Sequence, residues 1–372
     1  MSFFNNYNER NKILKQIKKQ NNLESIKSKY ILELIFSHLQ KNKYLEIIKY
    51  NKNAQNRLNM NNNDFKEYSE IFTSIEIEIT FVENQYGKYI NILNEDEEPY
   101  FHKYFNDNKI EIDRNYTEED DKISKIKIVI DYPIKSFEKL FEDCPYIQSI
   151  SFKKFNRINI NNMNYMFCRC SSLNEINLSN FKTNNVIYMD GMFFKCSSLK
   201  KLDLSNFNTI NVTNMNDLFN GCSSLKEINC SNFNTDNVIS MAGMFSGCTS
   251  LEELNLSNFN TDKVTNMAAM FSGCSSLKEL NVSNFNTNNV HFMAGMFSGC
   301  SSLKELNLSN FNIFDVNFMS DMFKGCSSLQ NLEINFDFHN LVVINGMFKG
   351  CSNEFKNKIR TQYENIGDEA FY

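Results

Sequence analysis

The sequence predicts an α/β solenoid, a stack of short repeated units that each contain a strand, a loop and a short helix. Two observations lead to this prediction: a motif recurs at a fixed interval through the second half of the chain, and two hydrophobic periodicities alternate inside it. A period between about 20 and 50 residues is typical of solenoids, in which each unit buries its apolar face against its neighbours. Nine cysteines set the register, spaced 26 residues apart seven times and then 25: Cys144, Cys170, Cys196, Cys222, Cys248, Cys274, Cys300, Cys326 and Cys351.

The first half of one unit has the pattern of a short strand. Leu277, Leu280 and Val282 follow the spacing L-x-x-L-x-L, and the last two alternate with polar residues as a half-buried strand requires. Residues 283–284 predict a turn, and Phe285 is expected to fill that turn from the inside.

The second half of the unit has a different period. Residues 287–289 are polar and predict a loop, whereas Met293, Met296 and Phe297 lie at i, i+3 and i+4 and predict one or two helical turns. Gly299 is expected to cap that helix. Strand, loop and short helix form the unit of a leucine-rich-repeat horseshoe, whose parallel strands stack about 4.8 Å apart.

The regular cysteines indicate packing rather than cross-linking. Free cysteine packs as a small buried hydrophobe, and an odd ladder of equivalent residues does not resemble a disulfide framework. We therefore expect reduced thiols and a reducing compartment.

The repeat string M-F-x-G-C-S-S-L-K-x-L-x-L-S-N-F-N-T-x-N-V-x-x-M resembles the BspA-like leucine-rich-repeat surface proteins of bacteria and protists. The resemblance covers roughly residues 137–351. It implies a protein-binding or adhesive repeat module without enzymatic activity in the repeats.

The N-terminal segment, residues 1–70, is predicted to be helical. It is also basic, since residues 1–60 contain twelve Lys and Arg against four Glu. Within residues 25–60, the stretch from Ile31 to Leu39 and the apolar residues that follow it resemble an F-box-like helical motif. The usual Leu-Pro and tryptophan are missing, and a plain helical cap on the repeats explains the same residues.

Residues 71–132 predict a small β-rich region that covers the first coil and so protects an exposed sheet edge. Alternating apolar residues predict strands at residues 75–81 and 126–130, a further strand is expected at 89–93, and residues 106–108 predict a hairpin turn that leads into 110–112.

The solenoid is assigned to residues 133–351 and a C-terminal capping helix to residues 352–372. Phe355, Ile359 and Tyr363 lie four residues apart and define the apolar face of that helix. The last residues of the sequence are expected to be frayed.

The sequence predicts no enzyme, metal site or cofactor. It contains no phosphate-binding, nucleophile-elbow, zinc-protease or dinucleotide motif. Cys168 and Cys170 form one close pair, but substitution within the repeat explains Cys168. A net charge of −5 excludes a general nucleic-acid footprint.

The candidate partner-binding residues are aromatic where sister repeats are polar. Exposed aromatic side chains dominate many protein interfaces, so these positions predict part of a partner site. The residues are Tyr188, His291, Phe292, Phe314 and Phe318.

We therefore expect a monomeric, non-enzymatic scaffold that binds a protein partner through the solenoid. One alternative is an F-box-like substrate receptor of a ubiquitin ligase, with residues 25–60 binding the adaptor; another is a BspA-like cell-surface adhesin. The sequence shows no signal-peptide core and no apolar window of 18 residues. These features favour a cytoplasmic protein without a transmembrane segment, and surface display would need an export route that is not visible in the sequence.

Overall fold

The computed structural model describes residues 52–58, 73–131, 134–336, 343–363 and 366–372. The chain divides into two compact units, Met1–Thr73 and Ser74–Tyr372. In the first unit the described part contains helix α1 (Lys52–Arg57). The other helices predicted for residues 1–70, including most of the F-box-like stretch, lie outside the described residues.

The second unit begins with a mixed sheet of five strands, in the order β2-β3-β1-β4-β5. The alternating isoleucines predicted as strands form β1 (Ile75–Phe81) and β3 (Lys125–Ile130), which pair antiparallel. Strand β2 (Phe101–Phe105) pairs with β3, and β1 pairs on its other side with β4 (Ile147–Lys154). Strand β4 then pairs in parallel with β5 (Glu175–Asn177), so the β-rich region continues directly into the repeats.

Two details of the β-rich region differ from the predictions. Residues 89–93 form no strand, because Tyr89 and Ile90 are both buried and the required alternation is absent. Residues 106–108 do turn, with left-handed backbone at Asn106 and Asp107, but the main partner of β2 is β3 rather than residues 110–112. Two 3-10 helices complete this region, Glu95–Tyr100 and Glu119–Asp121.

Successive repeats stack as coils, but their strands are short and discontinuous. Strand β6 (Lys201–Asp203) pairs in parallel with β7 (Glu227–Asn229), and β8 (Glu305–Leu308) pairs with β9 (Asn331–Ile334). The equivalent residues 253–256 and 279–282 are not in strands. The strand predicted at Leu280 and Val282 is therefore wrong as a strand, although both side chains are buried as expected.

The predicted short helix is also wrong. In residues 267–274, alternate N–H groups donate to different carbonyls. Those of Met267, Ala269, Phe271 and Gly273 donate to the next coil at 2.6–2.9 Å, whereas those of residues 270, 272 and 274 donate three residues back within their own coil. Such a chain of three-residue turns places residues i and i+3 on one side, as a helix does, which explains why the apolar spacing was misleading.

Left-handed residues prevent a helix at these turns. Every coil has two residues with positive φ, four positions apart, as at Ala269 and Gly273. Glycine adopts this conformation without steric cost, and a Cβ on Gly273 would stand 3.5 Å from the Cα and N atoms of Gly247 in the previous coil. The pairs are Lys139/Asp143, Tyr165/Arg169, Gly191/Lys195, Asp217/Gly221, Gly243/Gly247, Ala269/Gly273, Gly295/Gly299, Asp321/Gly325 and Gly346/Gly350.

The core of the repeats is a continuous row of stacked side chains. One phenylalanine per coil, from Phe141 to Phe348, stacks on its neighbour with ring centroids 5.4–5.9 Å apart. Buried methionines, valines and cysteines surround this row. Each coil therefore buries its apolar side chains against the two adjacent coils, as in a repeat array.

The end of the chain closes this row. Helix α2 (Asn353–Gln362) buries Phe355 and Ile359, as predicted. A last 3-10 helix (Asp368–Phe371) places Phe371 on the ring of Phe348, with centroids 5.7 Å apart, as the final member of the stack. The expected fraying is wrong, because Phe371 is only 2% exposed. None of the helices in the described part of the chain is long and apolar enough to cross a membrane.

Candidate partner-binding edge

A row of buried threonines fixes the loop that follows the strand position. Thr287 was expected in a polar loop, yet it is only 2% exposed. Its hydroxyl donates to the carbonyl of Asn312 in the next coil at 2.8 Å and accepts from the Asn312 N–H at 2.8 Å. The hydroxyl both donates and accepts a hydrogen bond, and these bonds compensate for its loss of contact with water. The same arrangement recurs at Thr183, Thr209, Thr235 and Thr261.

A row of asparagines fixes the turn before that loop. The Nδ2 group of Asn284 donates to the carbonyls of Leu256 at 3.0 Å and Phe259 at 2.7 Å, both in the previous coil. Equivalent bonds are made by Asn206, Asn258 and Asn310. The Ser-Asn-Phe turn is therefore positioned by the preceding coil as well as by its own sequence.

A third row consists of the cysteines that set the repeat register. All eleven cysteines are buried and unbridged, as expected for packing thiols. In eight successive coils the Sγ atom donates to the carbonyl of a phenylalanine in the previous coil at 3.1–3.2 Å. Burial raises the pKa of these thiols, as for Cys222, whose pKa rises to about 12. Such thiols are poor nucleophiles because little thiolate forms.

These rows hold one edge of the repeats in place, which we call the loop edge. It comprises residues 184–188, 210–214, 236–240, 262–266, 288–292 and 314–318. One residue of each coil in this edge forms a parallel bridge to a neighbouring coil, and this column includes Tyr188, Phe292 and Phe318.

The structure places all five predicted partner-binding residues on the loop edge. Phe292 and Phe318 are neighbours in the bridge column, and their rings stack with centroids 5.6 Å apart and planes 6° apart. Phe314 is 87% exposed. His291 is half-buried, and its Nδ1 lies 3.1 Å from the carbonyl oxygen of Asp315. Tyr188 is 46% exposed and lies four coils away from Phe292.

Three further exposed residues of the same edge were missed: Ile187, Ile210 and Ile239. Each is apolar where at least one sister coil has a polar residue, such as Thr213, Asp236 and Thr265. That contrast was the available signal. Among the described residues of the repeats, the large exposed apolar side chains all lie on this edge: Ile187, Tyr188, Ile210, Ile239, Phe292, Phe314 and Phe318.

The charged residues of the loop edge are mainly acidic. Asp236, Asp262 and Asp315 are exposed, against the single cation Lys263. Hydrogen bonds from Asn260 and Asn234 lower the pKa of Asp236. Asp262 accepts from Asn286 at 2.7 Å. The lowered pKa keeps the Asp236 carboxylate charged at neutral pH.

The strand side of the coils has a different chemistry. A cavity on this side, of about 1390 Å³, is lined by residues of three coils and by Lys358 and Gln362 of α2. Ionic contacts cross between coils there, such as Lys201 with Glu227 at 2.8 Å. The lining combines both signs of charge with asparagine and largely buried leucine, and none of the described residues of this side is a large exposed apolar side chain.

Within the described ranges, no three His, Cys, Asp or Glu side chains are grouped as metal ligands. Cys168 is only 2% exposed, and burial raises its pKa to about 11. The main features of the repeats are the stacked rows of side chains and the apolar loop edge.

Comparison with known proteins places these coils in a family. The family model described as "Mycoplasma protein of unknown function, DUF285" matches residues 135–254 and 244–362, more than half of the 372 residues. The chain therefore belongs to the DUF285 family of repeat proteins. No curated protein matches it.

Among solved structures, the chain is similar to a leucine-rich-repeat protein of Leptospira interrogans. The identity is 12%, the match covers 57% of this chain and 77% of that one, and the TM-score is 0.19.

Proposed function

We propose that this protein is a non-enzymatic scaffold that binds a protein partner through its repeat coils, and that the coils form a leucine-rich-repeat type of horseshoe. One observation supports this most directly: the large exposed apolar side chains of the described repeats share a single edge. Clusters of exposed apolar side chains are typical of interaction sites.

The rigidity of the edge also favours binding. Phe292 and Phe318 are stacked on bridged backbone, and the Thr and Asn rows connect each loop to its neighbours. Side chains that are already held in place lose less conformational entropy when a partner binds.

The test is affinity capture from native cells with three forms of the full chain. They are the wild type, a loop-edge variant with Phe292→Thr and Phe318→Asn, and a strand-side variant with Glu279→Gln and Glu305→Gln. We expect the wild type and the strand-side variant to recover the same partner and the loop-edge variant to lose it. Equal recovery by all three folded proteins would contradict the proposed binding surface.

A form lacking residues 1–60, captured in parallel, tests the F-box-like alternative. Loss of a ligase adaptor from this form alone would establish the receptor function. Recovery of the same partners would leave residues 1–60 as a cap.

We also propose a cytoplasmic location and a monomeric state. The buried thiols, each donating to a backbone carbonyl, support a reducing compartment. The resemblance to surface proteins supports the opposite location. Cell fractionation with a membrane-impermeant protease decides between them, since only a displayed protein is cleaved on intact cells; light scattering of the purified chain measures its mass.

A further inference from the structure

The loop edge contains two apolar clusters separated by a polar coil. The first cluster consists of Ile187, Tyr188, Ile210 and Ile239, and the second of Phe292, Phe314 and Phe318. The coil between them presents Asp262, Lys263, Thr265 and Asn266. A partner must therefore place apolar side chains at two separate points.

Backbone N–H groups of this edge are already bonded to neighbouring coils. The N–H groups of Ile239, Thr265, His291 and Asn317 each donate to the preceding coil at 2.8–3.0 Å. The bridges run from coil to coil along the stacking direction. Because these groups are already paired, they are not free to bind the main chain of an added β-strand. The contact has to be made by side chains, which suits a partner whose own backbone is satisfied, namely a helix.

The spacing of the clusters fits a helix. Bridged neighbours lie about 4.8 Å apart, and the centres of the two clusters are three to four coils apart. The separation is therefore about 14–19 Å, the rise of roughly 10–13 helical residues. Residues about eleven apart return to the same face of a helix after three turns.

The loop edge as a whole carries more carboxylates than cations. Asp236, Asp262 and Asp315 lie on the edge beside or between the clusters. The only cation of the edge, Lys263, is hydrogen-bonded by its Nζ to Asn237 at 2.7 Å. A partner with basic side chains beside and between its apolar anchors would face three carboxylates against one cation.

We propose that the loop edge binds a basic amphipathic helix of a partner protein, laid along the stacking direction, with apolar anchors about eleven residues apart. This inference rests on the proposed function and names the partner's chemistry. Phe292 and Phe318 receive one anchor, and Tyr188 with its neighbouring isoleucines receives the other.

The experiment selects the ligand by its chemistry. A displayed library of helical 18-residue peptides, randomised on one face, is panned against the purified full chain. We expect the enriched peptides to have apolar residues about eleven apart with Lys or Arg beside or between them. The affinity of a synthetic enriched peptide should fall roughly tenfold or more for the Phe292→Thr, Phe318→Asn variant. Its affinity should be unchanged for the Glu279→Gln, Glu305→Gln control.

Charge is tested separately with Asp262→Asn and Asp315→Asn. These changes should weaken binding several-fold at low salt and reduce its salt dependence. Circular dichroism of each variant confirms that folding is retained.

Several outcomes would overturn the inference: no enriched peptide, an enriched extended peptide, or a helix whose affinity the loop-edge variant does not change. The native capture experiment separates this failure from failure of the proposed function. If the native partner needs Phe292 and Phe318 but a selected helix neither binds there nor competes with it, the scaffold function stands and the helical partner is wrong.

Discussion

At the scale of single residues, the left-handed turn positions determine what each coil tolerates. Ala269 has φ of 54°, whereas the equivalent positions in the adjacent coils are Gly243 and Gly295. An L-residue in the left-handed conformation costs about 1–2 kcal/mol. Glycine avoids this cost but loses more conformational entropy on folding, so the net gain from glycine is smaller. We expect Ala269→Gly to stabilise the protein by about 0.5–1 kcal/mol.

The matched control is Ala268→Gly, one residue earlier, where φ is not positive. Ala268→Gly relieves no left-handed strain, so it should lower the free energy of unfolding. Urea denaturation of both variants measures the shift in midpoint. Equal destabilisation by the two changes would refute the assignment of strain to Ala269.

The buried thiols predict a dependence of stability on alkaline pH. Burial raises the pKa of Cys222 from 9.0 to about 12. Between these values the unfolded thiol is ionised and the folded thiol is not, so the unfolded state binds fewer protons and stability falls as pH rises. Cys222→Ala should reduce the loss of unfolding free energy with rising pH by up to about 1.4 kcal/mol per pH unit.

The measurement is the urea midpoint at pH 8 and pH 10 under reducing conditions. Ser223→Ala, the adjacent residue, is the control and should keep the wild-type slope. Parallel pH profiles for Cys222→Ala and the wild type would show that this thiol ionises equally in both states.

At the scale of elements, the asparagine row connects neighbouring coils. Asn284→Asp preserves shape but removes the two donated bonds to Leu256 and Phe259. It also places a charge against two carbonyl oxygens. We expect a loss of about 2–3 kcal/mol.

The control for this change is Asn266→Asp. The Oδ1 atom of Asn266 accepts from the Ala268 N–H, a role that aspartate retains. Denaturation midpoints of the two variants make the comparison, and a similar small loss in both would mean that the Asn284 amide contributes little.

The elements also show what the sequence could predict. The 26-residue period, the buried positions and β1, β3 and α2 follow from local periodicity. The turn side was misassigned because turns of three residues and a helix place Met293 and Met296 on the same side. The four-residue spacing of Gly295 and Gly299 is the sequence signal that distinguishes these turns from a helix, since two left-handed residues cannot belong to one helix.

Only part of the loop edge could be predicted from the sequence, for a similar reason. Phe292 and Phe318 are conspicuous as aromatics, but Ile187 and Ile239 alone resemble core residues. The burial of Thr287 was not foreseen because its hydroxyl is satisfied by Asn312, a residue of the next coil. Contacts between coils leave only an indirect trace in the sequence of one coil.

At the scale of the whole molecule, the stability of the repeats depends on the residues that cover the last coil. Phe371 is buried between the ring of Phe348 and the guanidinium of Arg360, which lies 3.9 Å from its centroid. We expect Phe371→Ala to cost about 3–5 kcal/mol. Tyr372→Ala, at a 75% exposed position, should be nearly neutral.

Hydrogen exchange locates the loss. In Phe371→Ala the amides of residues 343–351 should lose protection before those of the central coils, because a stacked array opens from its ends. Uniform loss of protection along residues 134–351 would instead indicate one cooperative unit.

The cross-coil bonds have a consequence for inheritance. Each bond joins equivalent positions of successive coils, so an in-frame duplication of one repeat would supply every donor and acceptor that the inserted coil needs. Copy number can therefore change without redesign of the core. A repeat gained between Ile239 and Phe292 would move the two apolar clusters apart by about 4.8 Å, so that the gene could alter the length of the recognised surface in steps of one coil.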